Sequence, residues 1–179
     1  MYKRIHISGA SGAGVSTLGA AVAAKLQLPY VDVDDFYWYP TDPPFEQSRP
    51  PAERVDLLTR QLEGGQWVLC GSLDGWGDKL ISCADLVVFV DTPAALRLER
   101  LKTRESRLFG ERILPGGDMY AKHMAFLSWA ESYEDGTCNG RSRARHERWL
   151  KQLSLPWLRV HGDAPAQELL EQVMAAISN

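Results

Sequence analysis

A glycine-rich segment near the amino end constrains the fold of this chain more than any other stretch. Residues 5–18 read IHISGASGAGVSTL, a short apolar strand followed by a loop with three glycines and the start of an alanine-rich helix. The loop approaches the phosphate-binding pattern G-x-x-x-x-G-K-[ST], in which backbone N–H groups and the amino end of a helix attract an anion. The sequence therefore predicts a phosphate site whose hydroxyl residue, Ser16, ligates Mg²⁺. Its members are Gly9, Ala10, Ser11, Gly12, Ala13, Gly14, Val15, Ser16 and Thr17.

Position 15 departs from this pattern, because Val15 stands where a lysine would contact the β- and γ-phosphates. A unit charge about 4 Å from another contributes roughly 4 kcal/mol at an effective dielectric constant near 20. Since about 1.36 kcal/mol is tenfold in rate, an uncompensated loss costs on the order of a thousandfold. Two interpretations follow: another cation replaces the lysine, or the chain binds nucleotide with little catalysis.

A dinucleotide-binding loop is the alternative interpretation of the same glycines. The spacing of Gly9, Gly12 and Gly14 is similar to that of short-chain dehydrogenases, and Asp32 follows where a ribose-binding acid would stand. The chain would then be a small NAD(P)-binding oxidoreductase. The Ser-Thr pair directly after the last glycine favours the phosphate loop instead, and the sequence has no Tyr-x-x-x-Lys pair.

The rest of the chain alternates between apolar runs and helical patterns. Apolar runs near residues 5–9, 30–34, 66–71, 86–90 and 157–160 predict five strands, and helices are predicted between them. Such alternation is typical of a parallel sheet with helices on both faces. We therefore predict a three-layer α/β/α fold with a five-stranded parallel sheet, in a single domain of residues 1–179.

Composition and charge bear on the partners and the compartment. The chain of 179 residues has a net charge of −3, so nothing in its bulk charge indicates nucleic acid or an anionic membrane as a partner. No stretch approaches the roughly eighteen consecutive apolar residues of a membrane helix. Three scattered cysteines and a start that leads straight into the first strand predict a cytoplasmic protein without a signal peptide. The residues indicate no particular oligomeric state.

Two acidic residues end the second predicted strand. Alternation places Asp32 and Asp34 on one face, at the carboxyl edge of the sheet where parallel folds bind ligands. We expect Asp32 to hold Mg²⁺ and Asp34 to accept the proton of an acceptor hydroxyl, with a solvated strand end as the structural alternative. Residues 36–39 are all aromatic and predict either a flat acceptor or packing beneath a lid.

A second glycine-rich loop and two groups of arginines supply further candidates. Ser72 and Asp74 follow the third strand, where they either contact substrate or cap the next helix. Each arginine group lies on one face of a predicted helix and either replaces the missing lysine or forms a solvated face. The groups are Arg97, Arg100, Arg104 and Arg107, and then Arg141, Arg145 and Arg148.

Together these features resemble the adenylate-kinase-like branch of the P-loop small-molecule kinases, which includes nucleoside monophosphate kinases, shikimate kinase and gluconate kinase. The resemblance covers nearly the whole chain and is greatest to a bacterial subgroup in which the loop lysine is replaced. It implies an insert at about residues 35–64 that binds the acceptor. It also implies a lid-like segment at about residues 106–119 that closes over the phosphates.

The resemblance further implies a protein that binds ATP with Mg²⁺ and transfers the γ-phosphate to a small-molecule acceptor. Nucleotide contacts outside the loop are expected from Arg100, Arg104, Gly162 and Asp163, and catalytic roles from Arg104, Arg112 and Asp34. Acceptor contacts are expected from Asp32, Asp34, Arg54, Ser72, Asp74, Arg141 and Arg145, and metal contacts from Ser16 and Asp32.

Overall fold

A computed structural model describes residues 2–178. Its centre is a five-stranded sheet in the order β2-β3-β1-β4-β5, in which each pair of neighbouring strands is parallel. The predicted five-stranded parallel sheet is therefore confirmed. The strands are β1 (Arg4–Gly9), β2 (Tyr30–Asp32), β3 (Trp67–Cys70), β4 (Leu86–Asp91) and β5 (Trp157–His161).

Helices cover both faces of this sheet and complete the three layers. A 3₁₀ helix, Gly110–Ile113, lies between the fifth and sixth α-helices. No helix within residues 2–178 combines the length and apolar character needed to cross a membrane. The α-helices are α1 (Val15–Leu26), α2 (Asp34–Tyr37), α3 (Pro51–Leu62), α4 (Asp78–Ile81), α5 (Ala94–Phe109), α6 (Tyr120–Glu131), α7 (Arg143–Gln152) and α8 (Ala166–Ser178).

Strand β3, in the interior of the sheet, is apolar throughout because it is buried on both faces. In β3, Val68 and Cys70 belong to a core cluster that includes residues of α1 and α8. Trp67 and Leu69 belong to a second cluster with Leu58 of α3. Since alternate side chains of a strand point to opposite faces, the two clusters are the two halves of the core.

The second strand ends earlier than predicted, and this changes the position of Asp34. Val33 still donates to the carbonyl oxygen of Cys70 in β3, but its φ of −60° and ψ of −32° are helical. Asp34 is therefore the first residue of α2. The prediction that Asp32 and Asp34 share one face of a strand is wrong, although both residues still reach the same edge of the sheet.

The seventh helix begins later than predicted. Its N-cap is Ser142, whose hydroxyl accepts a hydrogen bond from the backbone N–H of Arg145. Arg141 therefore lies in the preceding loop, and the argument that Arg141, Arg145 and Arg148 share one helical face is wrong. Ser142 ends the loop because its side chain satisfies an amide that the first turn leaves without a partner.

Candidate functional site

The glycine-rich loop joins the carboxyl end of β1 to the amino end of α1. Gly12 and Gly14 adopt φ values of +79° and +99°, which other residues rarely take. A Cβ atom on Gly12 would also lie 2.5 Å from the carbonyl oxygen of Arg97. The loop thus turns tightly into the helix, whose first N–H groups have no partner within the helix. This backbone geometry suits an anion.

A cleft of about 1090 Å³ opens above this loop, where the carboxyl ends of the parallel strands meet. All nine residues of the predicted phosphate site line it, at positions 9–17. Eight other predicted site residues line it as well: Asp32, Asp34, Ser72, Asp74, Arg100, Arg104, Arg141 and Gly162. The remaining four, Arg54, Arg112, Arg145 and Asp163, are not among the lining residues.

Three arginines contact the phosphate loop, and one of them, Arg97, donates to the carbonyl oxygen of Ser11 at 3.3 Å from the protein interior. Arg100 of α5 donates to the carbonyl oxygens of Ala13 at 3.4 Å and Gly162 at 2.9 Å. Arg141 donates from Nη2 to the hydroxyl of Ser11 at 3.3 Å. The loop that lacks a lysine therefore has three guanidinium groups against it, of which those of Arg100 and Arg141 line the cleft.

The other arginines of α5 differ in their environment. Arg97 is fully buried and donates to the carboxylate of Glu134 at 2.7 Å. Arg104 reaches the cleft, with its guanidinium 5.9 Å from the ring centre of Phe126 and an ion pair to Glu105. The predicted basic face is thus divided between a structural arginine and arginines that line the cleft.

Ser16 and Asp32 form the oxygen pair expected for a cation. The hydroxyl of Ser16 donates to Asp32 Oδ2 at 3.4 Å, and the hydroxyl of Tyr30 donates to the same atom at 2.9 Å. Residues 2–178 contain no cluster of three or more His, Cys, Asp or Glu side chains that could hold a metal ion. The pair nevertheless fits Mg²⁺, which is usually bound through one or two carboxylates, phosphate oxygens and water.

Asp34 faces the cleft beside Asp32. Burial, with a smaller contribution from the charge of Asp32, raises the pKa of its carboxyl group. The positive charges of Arg141 and Arg104 lower the same pKa, so Asp34 lies in the field of two guanidinium groups. Its backbone N–H donates to Asp32 Oδ1 at 3.0 Å, which orients the two acids relative to each other.

The four consecutive aromatic residues divide between the cleft and the protein interior. Tyr37 and Trp38 line the cleft, with ring centres 4.7 Å apart. Phe36 packs against the core, and Tyr39 donates its hydroxyl to Glu53 at 2.6 Å. The aromatic run is therefore divided between the cleft and the interior, and its role in binding a flat or apolar acceptor stays a prediction.

The glycine-rich loop after β3 brings Asp74 to the cleft as half of an ion pair. Arg145 donates from Nε to Asp74 Oδ1 at 2.7 Å. The helix that follows has Gly77 as its N-cap and no side-chain cap, so the capping interpretation of Ser72 and Asp74 is wrong. The hydroxyl of Ser72 instead accepts the backbone N–H of Asp74 at 3.3 Å.

Arg54 lies outside the cleft. Its side chain is 7% exposed, and its guanidinium stacks on the ring of Tyr37 at 3.6 Å from the centre. Its Nε donates to the carbonyl oxygen of Arg49 at 2.5 Å. In this arrangement Arg54 supports the aromatic residues and does not line the cleft, so its contact with an acceptor stays a prediction.

The segment predicted as a lid, residues 106–119, and helix α6 after it each form one ion pair with the predicted insert, residues 35–64. Arg112 pairs with Asp42 at 2.8 Å and with Asp118 at 2.7 Å. Lys122 of α6 pairs with Glu46 at 2.8 Å. Arg112 is thus held by two carboxylates, and its catalytic role stays a prediction.

Several cleft residues were not predicted. Lys122, Phe126 and Trp129 reach the cleft from α6, and Phe45 reaches it from the tip of the insert. The sequence of α6 indicates only a helix, since its apolar residues do not follow a single face. Phe45 stands among prolines, where no periodicity exists to show its direction.

Comparisons with known proteins support the fold and place the chain in a family. No family model matches the chain, so its family is shown by a single related protein. The uncharacterized protein YqaC of Bacillus subtilis (strain 168) is 42% identical over 180 residues, covering 100% of this chain and 99% of that protein.

Solved structures of P-loop kinases share the fold at low sequence identity. Shikimate kinase from Bacteroides thetaiotaomicron has a TM-score of 0.63 at 16% identity, with 100% of both chains covered. A gluconokinase from Sinorhizobium meliloti 1021 has a TM-score of 0.56 at 17% identity and covers 98% of this chain and 91% of its own. Deoxyadenosine kinase from M. mycoides has a TM-score of 0.52 at 16% identity and covers 98% and 99%. The chain belongs to the family of YqaC and has the fold of the P-loop small-molecule kinases.

Proposed function

We propose that this protein binds ATP with Mg²⁺ and transfers the γ-phosphoryl group to a hydroxyl group of a small molecule. The observation that carries this proposal is that the phosphate loop lines one cleft together with arginines and acids, among them Arg100, Arg141, Asp32 and Asp34. P-loop kinases act on small acceptors by positioning and by electrostatic stabilisation, for which this set of groups is suited. Neither the oxidoreductase nor the low-catalysis alternative gains support from the comparisons.

The phosphate loop and Arg100 bind the nucleotide in this proposal. Backbone N–H groups of the loop hold the phosphates, and Arg100 links Ala13 to Gly162. The segment that follows β5, with Gly162 and Asp163, then lies beside the base. Arg104 lines the cleft further along α5, with its guanidinium 5.9 Å from the ring centre of Phe126.

Arg141 replaces the missing lysine at the transferred group. Val15 faces the interior of the loop, with Cγ2 3.1 Å from where a Cβ of Gly9 would stand, and brings no charge. Arg141 contacts Ser11 of the loop and lowers the pKa of Asp34, so it acts on the donor side and on the acceptor side. A guanidinium can donate two parallel hydrogen bonds to a phosphoryl group.

Ser16 and Asp32 would hold the metal ion, which neutralises phosphate charge when bound. Asp34 accepts the proton of the attacking hydroxyl. Its raised pKa makes it a better proton acceptor than an ordinary aspartate. Asp32 orients it through the backbone hydrogen bond between them.

Calorimetry of ATP binding, with and without Mg²⁺, and measurement of ADP formation test this proposal. We expect Mg²⁺-dependent binding to the wild type. Arg100→Met weakens binding about tenfold, and Arg141→Met lowers turnover roughly a hundredfold with a smaller change in binding, because charge-assisted hydrogen bonds are lost. Arg148→Met, an exposed change on α7, is the matched control. Absence of ATP binding would overturn the proposal.

Val15→Lys in the same assay separates replacement of the lysine from its loss. If Arg141 supplies the charge, the added lysine changes turnover less than tenfold. A rise near a thousandfold, the value of an uncompensated charge, would show that the wild-type chain binds nucleotide with little catalysis.

A further inference from the structure

The acceptor side of the cleft has its own chemical character, from which we propose the class of acceptor. It is an uncharged molecule that carries a hydroxyl group and a flat aromatic or heteroaromatic ring, as a nucleoside does. It is not a phosphorylated or carboxylated compound. This inference rests on the proposed function, because it names the acceptor of the same transfer.

An aromatic wall forms this side of the cleft, made of Tyr37, Trp38, Phe45 and Trp76. The ring centres of Tyr37 and Trp76 are 6.1 Å apart, and those of Trp38 and Phe45 are 5.9 Å apart. Phe45 is 41% exposed, so apolar ring surface faces the open cleft. Exposed apolar surface of this kind marks a binding surface, and ring stacking is the interaction it offers.

The wall is held rigid from behind. The guanidinium of Arg54 covers Tyr37 at 3.6 Å from the ring centre, and the indole N–H of Trp76 donates to the carbonyl oxygen of Ser72 at 3.3 Å. Rigid aromatic side chains lose little entropy when a ligand stacks on them. The wall is therefore preorganised for a ring.

The charges beside the wall disfavour an anionic acceptor. Asp32, Asp34 and Asp74 all line this part of the cleft. Of the arginines predicted to bind the acceptor, Arg54 is buried behind Tyr37, and Arg145 is paired with Asp74 at 2.7 Å. A second negative group on the acceptor would meet these acids without a free partner.

Three of the five Arg and Lys side chains that line the cleft, Arg100, Arg104 and Arg107, come from α5, the helix assigned above to the nucleotide, and the other two are already engaged. Arg141 contacts Ser11 of the phosphate loop, where the transferred group must lie. Lys122 pairs with Glu46 and also donates to the carbonyl oxygens of Pro44 and Phe45. Shikimate, gluconate and nucleoside monophosphates would each need a cation that this wall does not offer.

Acceptor pairs that differ only in charge test the inference. ADP formation is measured with adenosine, cytidine and uridine, each against its 5′-monophosphate, and with shikimate, gluconate and choline as ring-free or charged comparisons. We expect at least one nucleoside to raise the rate about tenfold or more above hydrolysis. Faster turnover of a monophosphate, a sugar acid or choline overturns the inference, and so does the absence of any response to nucleosides.

Variants of the wall show whether stacking is responsible. Trp38→Leu should raise the KM of the responding nucleoside roughly tenfold through lost ring stacking, while Trp38→Phe stays close to the wild type. Trp157→Leu is the matched control, because Trp157 is an exposed tryptophan at the amino end of β5 and does not line the cleft. It should leave the KM unchanged. Equal KM values for wild type and Trp38→Leu contradict the inference.

Binding of ATP with Mg²⁺, measured by calorimetry on the same samples, separates the two levels of failure. Normal nucleotide binding without a response to neutral ring acceptors overturns the acceptor class and leaves the proposed function intact. Loss of nucleotide binding by the wild type overturns both.

Discussion

Single residues of the cleft differ in how firmly their charge is fixed. Asp74 is paired with Arg145, and Asp32 accepts hydrogen bonds from three donors. Asp34 makes no ion pair within residues 2–178, and burial raises its pKa. Asp34 is therefore the carboxyl group of the three that is best suited to take up and release a proton.

This gives a prediction for the pH dependence of turnover. A raised pKa means that the basic form of Asp34 is lost at a higher pH than in an ordinary aspartate. The kcat/KM for ADP formation should fall as the pH drops through that raised value, and Asp34→Asn should lower kcat about a hundredfold. ATP binding by Asp34→Asn, measured by calorimetry, should stay near the wild-type value. An unchanged acid limb in Asp34→Asn would assign the limb to another group.

The phosphate loop and the arginines differ in how far the sequence alone determines their positions. The phosphate loop was predictable because its pattern is local and because two of its glycines, Gly12 and Gly14, have positive φ values that other residues rarely adopt. The separation of Arg97 from Arg100 was not, since both lie within one arc of α5 and only neighbouring helices decide which is buried. The position of Arg141 was not predicted either, because Ser142 is the N-cap of α7 and leaves Arg141 in the preceding loop.

At the scale of elements, α5, α6 and the insert form the rim of the cleft. Arg112 and Lys122 reach across to Asp42 and Glu46 at the tip of the insert. The five strands and the longer helices were predicted, because buried strands are apolar and most of the longer helices are amphipathic. The four-residue helices α2 and α4 were not. These cross-rim pairs were not, since charges 70 and 76 residues apart leave no local pattern.

Removing both cross-rim pairs should loosen the rim without unfolding the domain. The four side chains are partly exposed, so each pair contributes little to global stability. We expect the double variant Asp42→Asn, Glu46→Gln to be cut by trypsin a few-fold faster at Arg107 or Arg112, with an unchanged urea midpoint. Asp56→Asn, which breaks an exposed pair with Arg60 in α3, is the control. Equal cleavage rates in all three proteins would show that the pairs do not hold the rim closed.

At the scale of the whole molecule, a chain of ion pairs connects the phosphate loop to the far edge of the sheet. Arg97 bonds to Glu134, which also accepts from Arg143 at 2.6 Å. Arg143 continues to Asp91 at the end of β4, and Arg159 of β5 pairs with the same carboxylate at 3.1 Å. The network holds the loop that presents Arg141, and it ties helices to strands that the sequence shows only as separate elements.

The buried end of this network should control stability and its pH dependence. Arg97 is fully buried, whereas Glu134 is 34% exposed, so Glu134→Gln should cost about 2 kcal/mol, less than a wholly buried pair. Burial acts to raise the pKa of Glu134, but hydrogen bonds from Arg143 and Arg97 outweigh it and hold the pKa below its ordinary value of 4.5. This carboxylate therefore stabilises the fold above its unfolded-state pKa, and the contribution is lost as the pH falls through the lower folded-state value.

Urea unfolding of the wild type and Glu134→Gln between neutral and acid pH measures this contribution directly. The difference in unfolding free energy should be largest near neutral pH and should shrink in acid, because the wild-type carboxylate becomes protonated and resembles the amide. Glu168→Gln, at an exposed position on α8, should show no such difference at any pH. A constant difference between wild type and Glu134→Gln across the pH range would mean that the shape of the side chain, and not its charge, secures Arg97 and the loop that carries Arg141.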